Sequence, residues 1–261
     1  MTEPLVRHSL EEGVGTITLA RPEAGNAMSM ALMEDLLAAT LAVTADPCTR
    51  AILLRAEGRN FCVGGDIRSF GGEDQAGPFM NRLAGTLHAA VKALAAHSAP
   101  VVVAAQGAAA GAGLSLVAAA DIAIAARSAS FSMAYSGIGL TADGGATWFL
   151  PRVIGLRRTQ ELAFTGRRLT AEEAERYGLV TRVVDDGALA DEARAIATRI
   201  AQGPTLAYGA VKALLSVQGG AALPEQLDAE LEAISAARAS DDAREGVAAF
   251  IARRAPRFVG R

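Results

Sequence analysis

Cysteine is nearly absent from the 261-residue chain. Cys48 and Cys62 are the only two, too few for a disulfide scaffold. Histidine is almost as scarce: His8, His88 and His97 lack metal-ligand spacing, and no CxxC or HExxH pair occurs, so no metal is expected. Lysine is confined to Lys92 and Lys212, and neither follows a glycine, which removes the phosphate-cradling Gly-Lys loop. Charge of one sign is also missing: 25 basic residues face 28 acidic ones, for a net charge of −3. That balance argues against nucleic acid as the main partner. Apolar residues, by contrast, make up 51% of the chain and charged ones only 20%. This composition excludes a disordered chain and supplies ample core for one or two domains.

The first residues, Met1-Thr2-Glu3-Pro4-Leu5-Val6-Arg7-His8, lack a basic start followed by an apolar run, so a cytoplasmic location is expected. One stretch, Ala99 to Ala120, carries no charge and has the length of a membrane span. It contains Pro100, Gly107, Gly111 and Gly113, is mostly alanine, and has little Leu, Ile or Phe to drive insertion. It reads as a buried strand Val101–Ala105, a glycine turn and a buried helix from Ala112 to Ala120, with no membrane involved.

Two patterns follow one another along the chain. Short β-branched runs at 15–19, 51–55, 101–103, 122–124 and 180–184 alternate with helical periodicity at 30–44, 78–96 and 112–120. This alternation predicts an α/β fold with largely parallel strands. Thr170-Ala171-Glu172-Glu173 reads as a capping box opening a helix that stops at Tyr177-Gly178. Beyond Asp185 the pattern is wholly helical: 188–202, 205–218, 224–238 and 242–253. The chain therefore divides into an α/β core, residues 1–187, and a helical region, residues 188–261. The helices of the second part are expected to lack a sheet to cover and to close the active site or pack against another subunit. Residues Gly71–Pro78 read as a mobile loop.

Familiar catalytic signatures fail on inspection. Gly111-Ala112-Gly113 begins a dinucleotide fingerprint, but Leu116 stands where its third glycine belongs, and Met133 where the ribose-binding acid is needed. Gly113-Leu114-Ser115-Leu116-Val117 has only the first glycine of a nucleophile elbow. Cys62 follows Phe61 as a small buried residue. What remains is two glycine-rich corners, Asn60–Ile67 after one strand and Gly107–Gly113 after another. Corners of this kind leave backbone N–H groups pointing outward, and two that converge would form an oxyanion hole.

These residues resemble the crotonase, or enoyl-CoA hydratase/isomerase, family from about Val6 to Ala255. The marks are Arg21-Pro22 with Asn26-Ala27-Met28, Asn60–Ile67, Gln106–Gly113 with Asp121-Ile122, Leu150-Pro151-Arg152 with Gly155, Thr165-Gly166, Ala174 and Gly178-Leu179-Val180. The resemblance implies a spiral of ββα units with trailing helices, assembled as a homotrimer or hexamer, and an acyl-CoA thioester as substrate. No separate cofactor is implied, since coenzyme A arrives as part of that substrate. The oxyanion donors would be the N–H groups of Gly65 and Ala112. Asp66, Ile67 and Arg68 would line the coenzyme A site, with Ala24 and Ala27 near the adenine end.

The departures from the family pattern carry further information. Ser115 and Tyr135 stand where hydratases of this family carry their two glutamates, so ordinary two-acid hydration is not expected. Either residue donates hydrogen bonds or simply shapes the pocket. An acid follows shortly, in Gly139-Leu140-Thr141-Ala142-Asp143-Gly144-Gly145. The segment Phe131–Arg152 most resembles the ring-epoxide and enoyl-CoA isomerases of phenylacetate breakdown, in which this Asp is the candidate acid/base. Asp-Gly is also a common turn, and Asp143 is placed to cap a helix starting near Ala146; the two roles are compatible. The expected activity is an acyl-CoA isomerisation through a thioester enolate, with Asp143 shuttling the proton. Hydratase-like or thioesterase chemistry on the same fold, or acyl-CoA binding without turnover, are the alternatives.

Overall fold

The computed structural model describes residues 3–70, 76–217, 220 and 222–261. Most of the loop expected at 71–78 lies outside these residues, as does the helix end expected at Gln218. In chain order the elements begin with β1 (Val6–Glu11), β2 (Val14–Leu19), α1 (Met30–Ala45), β3 (Ala51–Ala56) and α2 (Ala76–Ala96). Next come β4 (Val101–Ala105), β5 (Ala108–Ala110), α3 (Ala112–Ala119), β6 (Ile122–Ala126) and β7 (Ser130–Ser132). Then follow α4 (Ala146–Val153), α5 (Leu156–Thr165), β8 (Arg168–Thr170), α6 (Ala171–Tyr177) and β9 (Arg182–Val184). The chain ends in α7 (Leu189–Ala201), α8 (Thr205–Val217), α9 (Leu223–Arg238) and α10 (Asp241–Ile251).

The larger sheet has the order β1-β2-β3-β4-β6-β9. Only the β1–β2 pair is antiparallel; the others run parallel. Strands β2 and β4 are buried along their whole length, as expected where helices cover both faces of a parallel sheet. The smaller sheet, β5-β7-β8, stands beside it, and Cys62 bridges to Ala109 at its margin. One strand in each sheet followed by a helix is therefore a repeated unit: β4, β5, α3 is the clearest turn of the spiral. The expected capping box is present, with the Thr170 hydroxyl accepting from Glu173 N–H at 3.2 Å and the Glu173 carboxylate accepting from Thr170 N–H at 3.0 Å.

The structure corrects the reading of the first trailing helix. Helix α7 does cover the sheet: it packs on β2, β3, β4 and β6 and buries Leu189, Ala193, Ala197 and Ala201. A stripe of alanines lets it lie close to the strands. Helices α8 and α9 do leave apolar side chains exposed, including Leu206, Val211, Leu215, Leu227, Leu231 and Ile234. The C-terminal residues return to the core through the buried Asp242 carboxylate, which accepts from Val259 and Gly260 N–H at 2.6 and 2.9 Å. Arg50 adds bonds to the carbonyls of Gly203 and Phe258 at 2.7 and 3.1 Å. No helix among the described residues is long and apolar enough to cross a membrane.

Candidate active site

The two glycine corners lie side by side because their backbones pair. Phe61 N–H donates to Gln106 O at 2.7 Å, Cys62 N–H to Ala108 O at 3.1 Å, and Ala110 N–H to Cys62 O at 2.9 Å. The loop ahead of α1 joins from the other side, with Met28 N–H on Gly64 O at 2.8 Å and Asp66 N–H on Met28 O at 3.1 Å. Gly111 N–H donates to Ser132 O at 3.0 Å. These bonds use up several of the N–H groups around the corners and leave others without an acceptor among the described residues. Gly65 and Ala112 N–H find no acceptor among the described residues, and both residues border the same cavity. Ala112 is the first residue of α3, where an N–H has no intrahelical partner in any case. The approach of α3 to the first corner depends on Gly113. A Cβ there would lie 2.4 Å from Cys62 O, a backbone atom that cannot swing away.

The Arg21–Asn26 motif builds the first corner. Asn26 is fully buried. Its side chain accepts from Arg21 N–H at 2.9 Å and donates to the Glu57 and Asn60 carbonyls at 3.0 and 2.9 Å. Arg21 Nη1 in turn donates to Ala27 O at 3.0 Å and pairs with Asp66 Oδ2 at 2.7 Å. Asp66 thus spends its carboxylate holding the corner together.

The cavity measures about 410 Å³, within the usual range for small-molecule sites. Its walls are mainly apolar: Met28, Met33 and Phe70 on one side, Leu83, Leu87 and Met80 from α2, and Ile138 and Leu140. Gly65, Ile67, Ala112, Tyr135 and Asp143 all border it. Ser115 lies fully buried behind the wall. Ala24, Ala27, Asp66 and Arg68 do not border it: Ala24 sits half-buried in a short 3-10 turn, Ala27 is buried, and Arg68 is exposed. The sequence reading missed Asn81, which also lines the cavity, and His88, which touches the site from α2. Leu83 and Leu87 are spaced as a helix face, but nothing local announces which cavity that face borders.

Asp143 is the one carboxylate bordering the cavity among the described residues. Tyr135 donates its hydroxyl to Asp143 Oδ1 at 2.6 Å. Ser115 donates to the Asp143 main-chain carbonyl at 2.9 Å and lies 3.2 Å from the Tyr135 hydroxyl. On the next residue, Gly144 N–H donates to His88 Nε2 at 3.1 Å. Gly144 has φ +61°, and a Cβ on it would meet Ser115 Cβ at 2.8 Å, so the turn is compressed onto α3. The expected cap is not formed. Helix α4 is preceded by Gly145 with no side-chain cap, because the carboxyl group turns away to Tyr135.

Two environments are strongly perturbed. Burial, then the neighbouring Asp143 charge, push the Tyr135 phenol well above its ordinary range, so it stays a donor. Burial pushes the Cys62 thiol up to about 12, against a small opposing effect of Gly64 N–H. Cys62 is therefore no nucleophile at neutral pH.

A family model described as enoyl-CoA hydratase/isomerase matches residues 9–261. Among characterised relatives, the 1,2-epoxyphenylacetyl-CoA isomerase of Escherichia coli (strain K12) is 40% identical over 266 residues, covering 100% of both chains. The trans-2-decenoyl-[acyl-carrier-protein] isomerase of Streptococcus mutans is 33% identical, covering 98% of each. Among solved structures, an enoyl-CoA hydratase from Bacillus anthracis superposes with a TM-score of 0.91 at 31% identity, covering 98% of this chain and 100% of that one.

Proposed function

The chain belongs to the enoyl-CoA hydratase/isomerase family, and from that premise we propose that it is an acyl-CoA isomerase working through a thioester enolate. The observation that carries this reading is the Asp143 carboxylate, the one that borders the cavity among the described residues. Among the described residues Asp143 borders the cavity without a second acid, while Ser115 and Tyr135 are hydrogen-bonded around it. One carboxylate suits a reaction in which one proton leaves and returns. Asp143 takes a proton from a carbon of the acyl group, and the electron pair moves onto the thioester oxygen. Gly65 and Ala112 N–H hold that oxygen; each such donor lowers the barrier by roughly 3–4 kcal/mol. The proton then returns to a different carbon, and the double bond has moved with no net change in composition.

The substrate on this reading is an acyl-CoA with a ring or an enoyl chain, seated among the apolar residues of the cavity. No cofactor is required beyond the coenzyme A of the substrate. The exposed apolar residues of α8 and α9 support assembly as a homotrimer or hexamer, since large exposed apolar patches are rare on monomers; light scattering that finds only monomer at micromolar concentration contradicts this.

A panel of 2-enoyl, 3-enoyl, ring-epoxide and saturated CoA thioesters tests the reaction class. Products of unchanged mass and altered ultraviolet absorption are expected from an unsaturated or ring substrate. Addition of water to crotonyl-CoA at roughly 10 s⁻¹ or more, an ordinary enzyme turnover, contradicts it, as does release of free coenzyme A.

A further inference from the structure

We propose that Tyr135 is a positioning residue for the proton transfer: its hydroxyl fixes one oxygen of Asp143 and thereby presents the other to the substrate. This rests on the reading of Asp143 as the acid/base. The 2.6 Å bond occupies Asp143 Oδ1, while no side chain among the described residues bonds Oδ2. Tyr135 borders the cavity together with Asp143, so the bond is made at the cavity wall itself. The turn itself is held twice, by Ser115 on the Asp143 carbonyl and by His88 on Gly144 N–H, at 2.9 and 3.1 Å. The backbone is thus fixed independently, and the Tyr135 bond is left to set the rotation of the carboxyl group.

Such a bond removes rotational freedom from the base, which favours a reactive geometry. Tyr135→Phe keeps the ring and deletes only the hydroxyl, so that restraint alone is lost. Turnover is expected to fall on the order of 10- to 100-fold with KM within about twofold, because ground-state binding is untouched. A role confined to packing would leave kcat unchanged in this variant, since the ring remains.

The experiment compares Tyr135→Phe with Asp143→Asn on any thioester the enzyme isomerises. Loss of turnover in Asp143→Asn with unchanged kcat in Tyr135→Phe overturns the role of Tyr135 and leaves Asp143 standing. Full turnover in Asp143→Asn overturns the reading of Asp143 itself. If Tyr135→Phe does not fold, 4-aminophenylalanine is placed at position 135, where it keeps both the ring and a donor. Its kcat is expected within about tenfold of wild type, and a loss as deep as that of Asp143→Asn overturns the proposal.

Discussion

The two sides of the cavity are made of different material. One side is backbone: the corners at Gly64–Asp66 and Gly111–Gly113 offer N–H groups, and paired strands fix them. The other side is made of side chains: Tyr135 and Asp143 border the cavity, with Ser115 and His88 behind them, and the four come from separate places in the chain and meet through hydrogen bonds. A backbone wall tolerates change in side chains but not in glycine. A side-chain wall keeps its shape when one group is altered, yet the chemistry it supports can change with a single atom. On the proposed mechanism the first side serves a common step, holding a thioester oxygen, and the second chooses what happens next.

Labelling sharpens the contrast most strongly. Cys62 lies within the backbone wall, buried, with its thiol raised to about 12, while Cys48 is exposed. Cys48 is expected to react with a thiol reagent in the native protein and Cys62 only after unfolding, at rates separated by roughly a thousandfold or more. Comparable native rates would show that the corner opens. Gly113→Ala attacks the same wall directly. Its Cβ meets Cys62 O at 2.4 Å, so a loss of about 1–3 kcal/mol is expected together with most of the activity. Gly187→Ala, where a Cβ meets nothing within 4 Å, is expected to change stability by less than about 0.5 kcal/mol. Denaturant melts of the pair check this.

On the other side, Ser115→Ala removes the donor to the Asp143 carbonyl. A loss of about 1 kcal/mol is expected, with a smaller fall in turnover than Tyr135→Phe gives. The smallest effect lies outside both walls. Bonds from the Arg254 side chain, then from Arg257 N–H, hold Glu245 down to about 2 from 4.5. Its contribution is therefore present above about 4.5 and lost as pH falls from there toward 2. Glu245→Gln is expected to flatten that part of the melting-temperature profile slightly; an unchanged slope would place the acid sensitivity elsewhere.

The same division explains how much was legible in the sequence. The backbone wall is written in local signals: β-branched runs, glycines at strand ends and the Asn60–Ile67 pattern all fell where expected. Helix α7 was misjudged because its buried face is mostly Ala193, Ala197 and Ala201, and alanine gives almost no amphipathic contrast. The side-chain wall was legible only through family resemblance. Read locally, Asp143-Gly144 is a turn or a cap; that its carboxyl turns to Tyr135 instead depends on a tertiary contact across the Ser136–Ile138 turn. His88, and the partner that Asp66 takes, were out of reach for the same reason. The first bonds a residue 56 positions away, and the second pairs with Arg21 across 45.

The most direct test of the account is Asp143→Asn, assayed for isomerisation alongside acyl-CoA affinity and melting temperature. Asparagine keeps the size of the side chain and can still accept from Tyr135, but it cannot take up and return a proton. The account predicts a fall of roughly 100-fold or more in turnover, with affinity and melting temperature close to wild type. Undiminished turnover in that variant would contradict it and leave the two backbone corners as the only catalytic groups.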